Sequence, residues 1–154
     1  MSFRIHGLSP EPFVPLFALS DEALVMIGAR RVFADDLRMP CRISMEHAAL
    51  GEEVLLVNYE HQPANSPYRS NHAIYVRKSA HVAFYSVDDV PEVLTSRQLA
   101  VRAFDKDHMM IDAEVIDGAQ AATTFEEFLA NANTKYLHVH NAKRGCYAAR
   151  VERA

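Results

Sequence analysis

The chain has 154 residues, 49% of them hydrophobic and 23% charged, the balance of an ordinary globular protein. Its formal charge of −4 argues against nucleic acid as a partner, since a general nucleic-acid binder presents a basic surface. No apolar run reaches the roughly 18 residues of a membrane span, and Met1–Gly7 has no signal-peptide character, so no membrane partner and a cytoplasmic location are expected. The two cysteines, Cys41 and Cys146, are too few for a disulfide-stapled secreted scaffold and read as reduced thiols.

A single domain over residues 1–154 is expected, because a chain of this length buries roughly 68–70% of its unfolded surface and needs no staples. Pro10, Pro12 and Pro15 limit any early helix to a single turn, with Phe13, Leu16 and Phe17 on one face as a core anchor. Ser20 is placed to cap a helix that opens with Asp21 and Glu22, and Gly28 to end it in the left-handed conformation. Strands are expected at Arg30–Ala34, Cys41–Ser44, Glu53–Glu60 and Ala73–Arg77. The third is apolar on both sides at its centre and therefore central in its sheet. Between the last two lies a twelve-residue loop, His61–His72, rich in Pro, Ser and Asn.

Leu99, Val101 and Ala103 alternate along one strand, and Met109, Ile111, Ala113 and Val115 along the next. Pairing apolar with apolar sets Ala103 opposite Ile111, Val101 opposite Ala113, and Arg102 opposite Asp112, with a turn of three or five residues. Thr123–Glu126 has the pattern of a capping box, opening a helix with a Phe125, Phe128 and Leu129 stripe. Tyr136–His140 and Cys146–Val151 read as a closing antiparallel pair around a Gly145 turn. The fold class is α+β: a mostly antiparallel sheet of about six to eight strands, curved or partly closed, with an N-terminal helical region and one late helix.

The chemistry concentrates in Tyr136–Tyr147. Alternation puts Tyr136, His138 and His140 on one strand face and Leu137 and Val139 on the other. Two imidazoles on one face can bind a metal ion with a third ligand from His61, Glu60, Asp112 or Glu114, act as acid and base, or serve as donors and acceptors in a metal-free pocket. A cation, Arg144, stands where the metal-binding cupin pattern requires a carboxylate, so no metal is assigned and the cofactor is left unknown. The turn Asn141–Cys146 offers backbone N–H groups and positive charge to an anion, and Cys146 beside basic residues is a candidate nucleophile. The long loop adds His61, Tyr68 and Arg69 and could fold over the histidines as a lid. The candidate catalytic residues are thus His138, His140 and Cys146. The candidate ligand-binding residues are Arg42, His61, Tyr68, Arg69, Asn141, Arg144 and Tyr147. The partner they suit is a small anionic molecule. The alternative is a non-catalytic interaction module, homodimeric through a sheet edge or the apolar N-terminal turn, with structural histidines.

Pro40–Arg42, Asn58–Gln62, Ser66–Arg69, Ala113–Gly118 and Tyr136–Tyr147 together resemble the family numbered twelve-zero-three among bacterial domains of unknown function. The resemblance spans nearly the whole chain, and His138–Tyr147 is its most specific block. It implies a small bacterial protein and brings no established activity or catalytic residue.

Overall fold

Two antiparallel sheets organise the computed structural model, which describes residues 1–154. The strands are β1 (Phe3–His6), β2 (Ala29–Phe33), β3 (Glu53–Gln62), β4 (Ser70–Arg77), β5 (Tyr85–Val87), β6 (Gln98–Phe104), β7 (Met110–Asp117), β8 (Tyr136–Asn141) and β9 (Tyr147–Arg153). The larger sheet has the order β5-β1-β9-β8-β6-β7 and the smaller the order β2-β3-β4. The helices are α1 (Asp21–Met26), α2 (Glu92–Thr95) and α3 (Ala121–Ala130), with 3₁₀ turns at Val14–Ala18 and Gly118–Gln120. The α+β class with a predominantly antiparallel sheet is what the sequence indicates, although neither sheet closes. No helix is long and apolar enough to cross a membrane.

The main core lies on one face of the larger sheet. Leu99, Val101, Ala103, Leu137, Val139, Ala149 and Val151 pack there against Phe125 and Leu129 of α3. Phe125 meets Phe3 edge to face, with ring centroids 5.5 Å apart. A second core packs Leu55, Val57, Ile74 and Val76 of the smaller sheet against Phe13, Leu24 and the Tyr147 ring. Val54 joins a third cluster on the opposite face, with Ala34, Met39 and Ala48, which explains why β3 is apolar on both sides. Ser20 caps α1 through the Ala23 N–H at 3.1 Å, and Gly28 takes φ +73°, as expected from their residue types.

Four sequence expectations change. Cys41–Ser44 is not a strand: Pro40 and Cys41 make single bridges to His47 and Tyr75, and the chain turns at Arg42. The His61–His72 loop shrinks to residues 63–69, because both arms of the β3–β4 hairpin continue past the apolar run. The late helix starts before Thr123. Asp117 accepts the Ala119 N–H while Gln120 accepts the Asp117 N–H, so the capping box sits one 3₁₀ turn upstream.

The β6–β7 register is the fourth. At the turn it agrees with the pattern: Phe104 lies opposite Met110, and five residues, Asp105–Met109, connect the strands. A bulge then leaves Ile111 without a partner, so Ala103 faces Asp112, Arg102 faces Ala113 and Leu99 faces Ile116. The apolar match fails because β7 is an edge strand. Of its eight residues only Ile116 reaches the core, so alternation there is not set by burial. The strands β1 and β5 and helix α2 carry no pattern long enough to be read from sequence.

Candidate functional site

The face of the larger sheet opposite α3 is polar. Register aligns side chains across it in rows: Phe104 beside Tyr136, Arg102 beside His138 beside Arg150, and Ala100 beside His140 beside Tyr147. The far end of β3 covers this face. A bulge between Tyr59 and Gln62 breaks the alternation, so that both His61 (9% exposed) and Gln62 (3%) turn inward. A second bulge lies in β9 between the partners of Val139 and His140, at Ala148. These irregularities bring three imidazoles from two sheets together. The His61 ring lies 4.9 Å from His140 and 6.1 Å from His138, and His138 lies 6.3 Å from His140, centroid to centroid.

The rings line a cavity of about 260 Å³ with Gln62, Pro67, Tyr68, Arg69, Ser70, Arg102, Phe104 and Met110. No carboxylate lines it. Tyr147 forms the back wall, stacked on His61 at 5.4 Å and 11° and edge-on to His138 and His140. Phe104 stacks on Tyr136 at 5.2 Å, and the Tyr136 hydroxyl accepts from Gln62 Nε2 at 2.8 Å.

Burial keeps all three imidazoles neutral. It lowers His138 to about 2, with His140 and the flanking Arg150 and Arg102 acting in the same direction. It lowers His140 to about 3 against a raising bond to the Gly145 carbonyl, and His61 to about 4. Among the cations beside the rings, Arg150 lies 4.0 Å over the Tyr136 ring and pairs with Glu152 at 2.7 Å. Arg69 is held by Glu60 at 3.1 Å. Arg102 has no ion pair, and partial burial lowers its pKa without removing its charge.

The structure thus gathers His61, Tyr68, Arg69, His138 and His140 at one pocket, with Tyr147 behind it. The loop expected as a lid does border the site, through Pro67–Arg69. The remaining candidates lie elsewhere. Arg42 is 2% exposed and donates from Nε to the Tyr147 carbonyl at 2.7 Å, from Nη1 to the Pro40 carbonyl and from Nη2 to Cys146 Sγ at 3.2 Å. Asn141 Nδ2 also faces that sulfur, at 3.4 Å. Both cysteines are free thiols. Arg144 is exposed and acts on Asp36, because the turn carries it past the strand end and away from the rings. No group of three His, Cys, Asp or Glu side chains is arranged to hold a metal ion.

Arg102 is the cation the sequence reading missed. It alternates with Phe104 on the face opposite Leu99, Val101 and Ala103. Its place beside His138 depends on β6 pairing with β8, across an intervening strand and helix, which no local pattern reveals.

A two-sheet α+β protein with a carboxylate-free histidine pocket is the class that fold and site define. The chain belongs to the family described as "Protein of unknown function (DUF1203)", whose model matches residues 38–153. No curated protein and no solved structure matches it.

Proposed function

We propose that the protein binds a small anionic molecule in the His61–His138–His140 pocket, with Arg102 as the counter-charge. One observation carries this reading: a half-buried guanidinium without an ion pair lines a cavity that contains no acidic side chain. A charge in that position is stabilised by an opposite charge from the ligand. The rings supply orientation, since neutral imidazoles both accept and donate hydrogen bonds. Their low pKa values favour a binding role over general-acid catalysis near neutral pH, where an acid would need the imidazolium form.

Thermal shift with a panel of small carboxylates and inorganic phosphate tests the reading. At least one anion is expected to stabilise the wild type and to lose that effect in Arg102→Gln. No shift with any anion, or a shift retained in the variant, overturns it.

A second reading, a homodimeric interaction module, draws on the edge strand β7, where Ile111 is 40% exposed and Val115 59%. Light scattering on a sizing column decides it, and a monomer across the accessible concentration range ends it.

A further inference from the structure

The hydrogen bonds around the pocket fix where its protons are. His140 Nδ1 lies 2.9 Å from the Gly145 carbonyl oxygen. A carbonyl only accepts, so Nδ1 carries the proton and, in a neutral ring, Nε2 is a bare lone pair with no protein partner. His61 follows the same logic. The Ser70 hydroxyl spends its single proton on the Tyr68 carbonyl at 3.0 Å and accepts from His61 Nε2 at 2.9 Å. His61 Nδ1 is therefore also a lone pair, buried without a partner. His138, 3% exposed, leaves its Nδ1 buried and unpartnered as well.

A pocket with one guanidinium free of an ion pair, Arg102, and a fixed acceptor, His140 Nε2, asks for a ligand that carries both an anion and a donor. Phosphate in its dianionic form fits poorly, because its oxygens would face lone pairs at the rings. A bare cation fits poorly as well, because Arg102 lines the same cavity and no three ligating side chains are arranged for it. The volume, about 260 Å³, falls below the roughly 300–1,000 Å³ of drug-sized sites, so the ligand is smaller than a nucleotide. Phe104, Tyr68 and Pro67 offer apolar surface for its carbon skeleton.

We infer that the ligand is a small hydroxycarboxylate, its carboxylate on Arg102 and its hydroxyl donating to His140 Nε2. This rests on the anion-binding reading above and narrows it. An acceptor left without a donor in a buried site weakens binding about 10–100-fold, so an analogue lacking the hydroxyl is rejected by that factor.

Calorimetric titration of the full chain with matched probes tests the inference: lactate against propionate, 3-hydroxybenzoate against benzoate, with inorganic phosphate and zinc ion alone as competitors. In at least one pair the hydroxylated member is expected to bind 10-fold or more tighter, and Arg102→Gln to abolish binding of both. Because His140 is buried and its replacement disturbs the fold as well as the site, the ring is also followed in the wild type by long-range ¹H–¹⁵N NMR. Its Nε2 signal is expected to move with the hydroxylated probe and not with its partner. Equal affinity within both pairs, an Nε2 signal unmoved by a bound hydroxy acid, or tighter binding of phosphate through Arg102 overturns the hydroxycarboxylate assignment and leaves anion binding standing. Zinc binding at the three rings, or no binding by any anion, overturns both.

Discussion

Acidification is expected to destabilise this protein through its three buried imidazoles. In the unfolded chain each histidine titrates near 6.5, whereas in the folded state His61 titrates at about 4, His140 at about 3 and His138 at about 2. Below pH 6.5 the unfolded state takes up protons that the folded state refuses. Stability is therefore fully present above that pH and falls as pH drops towards the folded values. From about pH 7 to about pH 5 each histidine contributes a loss of about 2 kcal/mol, and the three together about 6 kcal/mol. That approaches the entire stability of many single domains, about 5–15 kcal/mol. His47, also lowered chiefly by burial, acts in the same direction. Urea unfolding followed by circular dichroism at stepped pH measures the effect. His138→Gln, which removes one of the three groups, is expected to reduce the pH-dependent loss by about 2 kcal/mol. Equal stability at both pH values in the wild type, or the same pH dependence in the variant, refutes the claim that these rings are folded in their neutral form.

Other perturbations test the framework that holds the pocket. Arg42→Ala removes the buried donor shared by the Tyr147 carbonyl, the Pro40 carbonyl and Cys146 Sγ, and is expected to cost about 3 kcal/mol in urea unfolding. Arg42→Lys is expected to recover little of it, because an ammonium lacks the planar fork. Gly118→Ala drives a Cβ into the Leu94 and Arg97 carbonyls and is expected to cost at least about 3 kcal/mol. Gly51→Ala, at φ +81° in open space, is expected to cost only about 1 kcal/mol, and equal melting shifts for the two would contradict this account. Phe125→Ala, fully buried between α3 and the larger sheet, is expected to lose about 3–5 kcal/mol by the same assay.

Much of the site is legible from alternation alone. Tyr136, His138 and His140 share a face, and Leu137 and Val139 fill the core on the other, because strand geometry leaves no other choice. What alternation cannot show is where it breaks. The bulge before Gln62 turns His61 and Gln62 inward together, and the bulge at Ile111 undoes the expected pairing of Arg102 with Asp112. Both are backbone irregularities with no fixed residue signature. Proximity in sequence misleads as well. Arg144 and Cys146 are near His140 along the chain, but the Gly145 turn sends the first towards Asp36 and the second towards Arg42. Arg102, distant in sequence, comes to lie directly beside His138.

The most direct test of the central claim is a crystal structure grown with saturating lactate. Electron density is expected for its carboxylate on the Arg102 guanidinium and for its hydroxyl within hydrogen-bond reach of His140 Nε2. Lactate seated on the Arg42–Cys146 side, or a pocket that holds only water at saturation, would contradict it.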